Sequence, residues 1–464
     1  MKQTDTWTAI GVALLLLAGL ACEQPGLPAE NETPDTQAAP AEPVGEYHLP
    51  ELEGPFSEAQ LQRLIREELD SIKSGKPGGK GDRPMQVPKR NAKPVYVHYM
   101  PWFQSLGYDG YWGQHWTMAN CDPGVEAPDG RRQIASYYYP LVGPYSSLDP
   151  YLHEYHFLLM KLSGIDGVIF DWYGSRDIWD YGLIREATES FMGSLEEIGL
   201  QYGIMYEDRV AAASFNPSDG ATEAQRLQSD LELLGRDYFS DPHYLQVDGR
   251  NALLVFGPHH LTQPELWQQA LEDGLGQTPV SLISLWGTRQ FLGALSGGEF
   301  LWISEDNLGA HEYYYANLPQ HGVTVGSAYP GFRSYYSRGG WDWGSNAFVI
   351  TPSVANLHES LQYTHHAASD FVQLITWNDF GEGTMIEPSR EFGFTLLETV
   401  QQYTGVQVKP KEMELAAHLY LMRQEFRDQP EVMALLDRSY TYFKRLNLGR
   451  VRGILMGVKR FYQP

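Results

Sequence analysis

Cysteine is scarce. The 464-residue chain carries two, Cys22 and Cys121, which excludes a disulfide framework beyond a single bridge. Positive charge is also short, with 34 Lys and Arg against 58 Asp and Glu, a net charge of −24. A nucleic-acid backbone would be repelled by such a field, so no nucleic-acid partner is expected. There is no G-x-S-x-G elbow, no Walker loop and no Rossmann glycine fingerprint between a strand and a helix. No cofactor is therefore expected. His153 and His156 flank Glu154 in HEYH at helical spacing, but no third ligand follows at a telling distance, so no metal is expected and the histidines read as a surface or interhelix pair. Internal repeats of fixed period are absent, and nothing points to an obligate protein partner. The apolar run Thr8 to Ala21 (TAIGVALLLLAGLA) is too short for a comfortable membrane span.

That run has the proportions of a signal peptide and follows Lys2. It ends in Gly19-Leu20-Ala21-Cys22, which resembles the bacterial lipoprotein processing box. The resemblance implies lipidation at Cys22 and a chain anchored to the bacterial cell envelope, at the outer membrane or a periplasmic face. An ordinary secretion signal is the alternative. Residues 23–48 are rich in Pro, Glu, Ala, Thr and Gln and read as a solvated tether. A helix follows, with Ser57 as cap and Leu61, Leu64, Ile65, Leu69 and Ile72 on one face. A second Gly/Pro/Lys-rich linker runs from Lys76 to Lys93. With Cys22 as the lipidated first residue, Cys121 stands alone and reads as a small buried apolar residue.

From Val95 the pattern alternates. Near-continuous apolar runs at 95–100, 166–170, 202–206, 252–256, 280–285, 300–303, 322–326 and 371–376 suit parallel strands covered on both faces. Amphipathic stretches between them include Pro150–Leu162, Tyr181–Ile198, Thr222–Leu234, Pro264–Leu271 and Ala355–Ala368, with a last one near Glu391–Tyr403. Eight such units predict an α/β fold, a (β/α)8 TIM barrel. An open doubly wound sheet is the alternative. The chain then divides into residues 1–22 (signal and lipobox), 23–93 (tether, linker and one helix), 94–406 (barrel) and 407–464 (a helical extension of two helices).

In such a barrel the reactive groups stand at the C-terminal ends of the strands. There the sequence places Tyr99 and Trp102, then Asp171, Trp172 and Tyr173, then Glu207, then Tyr329, and finally Asn378, Asp379 and Glu382. Trp116 belongs to a nearby block, GQHWTM. Carboxyls that move protons and rings that grip a sugar are what glycosidic cleavage needs, and 13 % aromatic residues is in keeping with it. Asp379 and Glu382 lie three apart after the last strand, with Gly381 and Gly383 to turn the chain, so both carboxyls can reach one cavity. A helix cap or an arginine pair would use the same residues structurally.

The stretch TWNDFGEGTMIEP (376–388) resembles the strand-eight signature of glycoside hydrolase family 99 and its relatives in family 71. The blocks SYYYPLVGPYSSLDP (136–150), LLMKLSGIDGVIFDWYG (158–174), HYMPWF and GQHWTM are similar in order and kind. The resemblance spans about residues 94–404. It implies a barrel enzyme acting on α-mannans or related oligo- or polysaccharides with net retention. It also implies Asp379 as base toward the sugar 2-hydroxyl, Glu382 as acid/base, and Asn378 holding the pair or binding a hydroxyl. Tyr99, Trp102, Trp116, Asp171, Trp172, Tyr173, Glu207 and Tyr329 are then expected to meet substrate. Three positions depart from the pattern: Asp379 for Glu, Phe380 for Trp and Gly381 for His. The shorter acid loses about 1.5 Å of reach, one C–C bond. That keeps open an inverting or differently specific glycosidase, with Asp379 or Asp171 activating water, and a barrel that binds glycans without cleaving them.

Overall fold

A computed structural model describes residues 46–75, 85, 87–212, 214, 219–318, 322–341, 348–366 and 369–463. The apolar run Thr8 to Ala21, Cys22 and most of the two expected linkers lie outside them. Eight parallel strands form the centre: β1 (Val95–Tyr99), β2 (Gly167–Trp172), β3 (Gln201–Tyr206), β4 (Arg250–Val255), β5 (Val280–Leu285), β6 (Ser296–Phe300), β7 (Val323–Ala328) and β8 (Phe371–Leu374). Each pairs with the next, Ile204 aligns with Leu253 between β3 and β4, and Val95 aligns with Val372 to close β8 onto β1. A two-residue piece, Gln246–Val247, adds an antiparallel pairing to β4. The sheet is a closed (β/α)8 barrel.

Seven helices fall near the stretches that amphipathic spacing marks, α1 (Glu58–Lys73), α2 (Pro150–Leu162), α3 (Tyr181–Ile198), α4 (Glu223–Leu233), α5 (Pro264–Leu275), α7 (Val354–His366) and α8 (Thr395–Thr404), while α6 (Leu308–Ala316) is one that the spacing did not mark. Ser57 caps α1 reciprocally with Gln60, and Asp149 caps α2 by accepting the Tyr151 N–H. Past the barrel stand three helices rather than the expected two: α9 (Glu414–Glu425), α10 (Pro430–Phe443) and α11 (Leu448–Tyr462). Helix α1 returns to them. Its buried Glu68 is paired with Arg438 and Arg450 and accepts the Tyr442 hydroxyl at 3.0 Å, so the charge is compensated where it lies.

One strand was expected elsewhere. The apolar run 300–303 suggested a sixth strand, whereas β6 ends at Phe300 and is SGGEF. Glycines carry it because neighbours come close: a Cβ on Gly298 would lie 2.2 Å from the Val323 carbonyl oxygen. Strand alternation then sorts the side chains. Tyr96, Ile169, Met205, Leu254, Ile283 and Phe371 fill the barrel interior. Val97, Tyr99, Phe170, Trp172, Ile204 and Tyr206 point outward into the layer beneath the helices. Among the described residues no helix is long and apolar enough to cross a membrane.

Candidate active site

The turn after β8 closes on itself. The Thr376 N–H donates to the Thr384 carbonyl at 3.0 Å, and the Asp379 N–H donates to Thr376 Oγ1 at 2.9 Å. The Glu382 N–H donates to Asp379 Oδ1 at 2.9 Å. Gly383, at φ 67°, supplies the reversal that an L side chain resists, and a Cβ there would also lie 2.9 Å from the Tyr138 ring. From outside, Tyr335 and Arg333 donate backbone N–H groups to the Gly381 and Glu382 carbonyls, both at 2.7 Å, while Ser136 Oγ donates to the Phe380 carbonyl at 2.8 Å. Asp379 and Glu382 are thus fixed on one rim.

Their protons are held unequally. Burial raises Asp379 from 3.8 to about 6, opposed by the Glu382 and Gly381 N–H groups and by His115. Glu382 is driven well above the usual carboxylate range by burial and by the facing Asp379, with Asp171 and Glu207 adding to it. Tyr336, from the loop after β7, donates to Glu382 Oε1 at 3.3 Å. Near neutrality the arrangement leaves Asp379 ionised and Glu382 protonated, one base and one acid on one turn.

Across the mouth, β2 and β3 contribute Asp171, Tyr173, Glu207 and Arg209. The Tyr173 hydroxyl stands 2.8 Å from Asp171 Oδ2 and 3.2 Å from Glu207 Oε1. Arg209 Nε lies 2.6 Å from Glu207 Oε2, and its guanidinium sits over the Tyr173 ring. Trp102 stacks on His115 at 4.3 Å, and His115 reaches Asp180 at 3.1 Å. Half-buried Phe256 and Trp302, 5.1 Å apart, pack against the barrel-interior cluster, with Trp302 edge-on to His98 at 4.8 Å. Among the described residues no group of three or more His, Cys, Asp or Glu could hold a metal ion.

The structure therefore brings together Asp379, Glu382, Asp171, Tyr173, Glu207 and, at the rim, Trp102. It seats other candidates in the core instead. Tyr99 is buried between barrel and helices, 2.8 Å from His156 Nδ1 through its hydroxyl. Trp172 packs on Tyr206 and Tyr238, and Trp116 between Phe103 and Phe380 with its N–H on the Tyr145 carbonyl. Tyr329 packs on His311 beside Ile303, Phe332 and Ile375. Outward strand parity accounts for Tyr99 and Trp172, packing between Phe103 and Phe380 for Trp116, which is not on a strand, and a small apolar satellite for Tyr329. Asn378 has both ends of its amide engaged: Oδ1 accepts the Met100 N–H at 2.8 Å, and Nδ2 donates to the Met100 carbonyl and to Tyr145. It holds the turn to the end of β1 rather than facing a sugar. Beneath it Tyr145 donates to Glu387 Oε2 at 2.7 Å, and Glu387 faces His156 at 3.3 Å.

His153 and His156 lie in the interlayer core, not at the surface; His153 is stacked on Phe191. Cys121 is half-buried, 3.8 Å from the Tyr335 hydroxyl. Asp208 accepts the backbone N–H groups of His259, His260 and Leu261 and so clamps the loop after β4. Two residues of the site, His115 and Tyr336, were not singled out from sequence. Arg209 reads from sequence as a local ion-pair partner for Glu207 or Asp208, and it pairs with Glu207. Tyr336 comes from a loop 46 positions before Glu382 and carried no sequence signal.

No family model matches the chain. A zebrafish (Danio rerio) glycoprotein endo-alpha-1,2-mannosidase-like protein is 21 % identical over 336 residues, 63 % of this chain and 70 % of the relative. The rat (Rattus norvegicus) glycoprotein endo-alpha-1,2-mannosidase is 24 % identical over 261 residues, covering 51 % and 54 %. Among solved structures, the GH99 endo-alpha-mannosidase from Bacteroides thetaiotaomicron superposes with a TM-score of 0.52 at 15 % identity, covering 69 % of this chain and 98 % of that one. That likeness establishes the shared fold. Together the relatives bear out the resemblance to glycoside hydrolase family 99.

Proposed function

We propose that the chain is a glycoside hydrolase of the endo-α-mannosidase type, acting on an α-mannan-like or related glycan. The observation that carries it is the pair on the β8 turn: Asp379 and Glu382, buried side by side at the C-terminal face of the barrel with the Glu382 N–H on Asp379 Oδ1 at 2.9 Å, where burial raises both and Glu382 the more. In the first step Asp379 takes the proton of the sugar 2-hydroxyl. O2 attacks C1 as the C1–O bond to the leaving group breaks, and Glu382 protonates that leaving oxygen. The product is a 1,2-anhydro sugar. In the second step Glu382, now ionised, takes a proton from water, which opens the anhydro ring at C1. Asp379 returns its proton to O2, and configuration at C1 is retained. Trp102, Tyr173 and Glu207 stand at the same mouth and are assigned to substrate. Lipidation at Cys22, holding the enzyme on the cell envelope, completes the proposal.

Hydrolysis across an α-mannan and glycan panel, with product analysis, tests it. E382Q is expected to lose on the order of 10²- to 10⁴-fold in kcat while still binding, as removal of a general acid does. Substrates with a strongly acidic leaving group, which needs no protonation, should lose least. Binding by the wild type without cleavage on any glycan would overturn the enzymatic reading.

A further inference from the structure

The contacts of Tyr173 leave a proton unaccounted for. Its hydroxyl carries one hydrogen, yet it stands within hydrogen-bond distance of two carboxyl oxygens, Asp171 Oδ2 at 2.8 Å and Glu207 Oε1 at 3.2 Å. Burial raises Glu207, but Arg209, 2.6 Å away, opposes it and favours the ionised form there over the same form at Asp171. If Asp171 were ionised as well, a buried charge would sit with Oδ1 lacking any hydrogen-bond partner among the described residues. Arg209 offsets part of that charge, but its short contact is with Glu207, so the compensation is shared between two carboxyls. A protonated Asp171 resolves both contacts. Asp171 Oδ2–H donates to the Tyr173 oxygen, and the Tyr173 O–H donates to Glu207. Oδ1 is then a carbonyl oxygen, for which a missing partner costs far less than for a bare anion.

We propose that Asp171 is a neutral carboxylic acid in the resting protein, and that its free Oδ1 binds a hydroxyl of the sugar ring rather than activating water. The proposal rests on the glycosidase reading for its ligand, but not for its proton. Strand parity aims Asp171 into the mouth, because its neighbours Phe170 and Trp172 point outward. The charged and titratable groups around it are Glu207 and Arg209 from the end of β3, Asp379 and Glu382 from the β8 turn, and Tyr173 with Tyr181 stacked behind it. Burial, then the Glu207 charge, favours the neutral form of Asp171 and outweighs the Tyr173 hydroxyl and Arg209, which favour the ionised one; Glu207 is raised less, because Arg209 restrains it. With Asp171 already carrying its proton, the base work falls to Asp379 alone. The water-activating role that an inverting reaction would give Asp171 is then unavailable.

Infrared difference spectroscopy of the full chain at pH 7, wild type minus D171N, reads the proton directly. The expected result is a carboxylic-acid C=O band present in wild type and missing in D171N. Only carboxylate bands in that difference would overturn the proposal. The binding half is read by calorimetric titration of mannobiose and a longer α-mannan fragment. Asn keeps a carbonyl oxygen and can still donate to Tyr173, whereas Leu fills similar volume with neither. D171N should hold the sugar at least tenfold more tightly than D171L, the worth of about one buried hydrogen bond. Equal weakening in the two overturns the hydroxyl contact. A D171L that fails to fold is replaced by D171S, which keeps only a short hydroxyl and should bind as poorly. If no glycan binds the wild type, the glycosidase reading falls while the infrared band still decides the protonation state.

Discussion

Asp379 exacts a stability penalty that a neutral isostere should lift. The unfolded side chain titrates at its ordinary value of 3.8, and the folded one at about 6. Below pH 4 both forms are protonated and folding is indifferent to the group. Between pH 4 and 6 the unfolded chain releases the proton while the native one retains it, so native stability falls as pH rises, and above 6 the loss is complete. A shift of roughly two units is worth roughly 3 kcal/mol. D379N keeps an Oδ1 to accept the Glu382 N–H and carries no charge. It also removes the repulsion that drives Glu382 upward. For about 400 ordered residues the unfolding entropy is on the order of 0.9 kcal/mol/K, so D379N should melt about 3 °C above wild type at pH 7.5 and close to it at pH 4. Calorimetry across that window measures the difference between the two proteins, in which titrations common to both cancel. A difference that stays flat from pH 4 to 7.5, or that narrows as pH rises, would refute the assignment of a raised Asp379.

The same two acids shape the rate. kcat/KM should follow a bell with its acid limb near pH 6, where Asp379 must ionise, and an alkaline limb where Glu382 loses its proton; a profile still rising below pH 5 would contradict this. D379E restores the longer side chain and should keep measurable turnover, about 10- to 100-fold down, because the turn is cut to the shorter acid; complete loss would mean that no reach beyond Asp is tolerated. N378A strips three hydrogen bonds that tie the turn to Met100 and Tyr145, leaving buried polar groups without partners. It should destabilise by about 2–4 kcal/mol and lower kcat more than it raises KM, measured by melting and steady-state rates.

The barrel was legible because each unit repeats one signal, an apolar run followed by a 3.6-period stripe, and errors in single elements do not alter the count. β6 shows the limit: SGGEF is chosen by close backbone approach to Ser281 and Val323, which hydrophobicity cannot report. The site was legible where chemistry coincides with strand parity. Asp171 and Glu207 lie on inward positions and are at the mouth, whereas Tyr99 and Trp172 lie one residue off and belong to the interlayer. That parity was readable from Val95-Val97-Tyr99 and Val168-Phe170-Trp172 as matched apolar sets. Tyr336 was not readable, since its contact with Glu382 depends on how the loop after β7 folds back.

The three departures from the family pattern are physically linked by contact. A Cβ on Gly381 would lie 3.3 Å from Met118 Cε and 3.4 Å from Asp379 Oδ1. A larger residue at 381 would therefore press on the end of Met118 and come into contact with the acid, so the space at 381 and the placing of Asp379 are coupled. Phe380 packs on Trp116 and Phe103 in the core. D379E should therefore lose less turnover, by steady-state rates, when combined with M118A than it does alone; an equal loss in both would uncouple the acid from Met118.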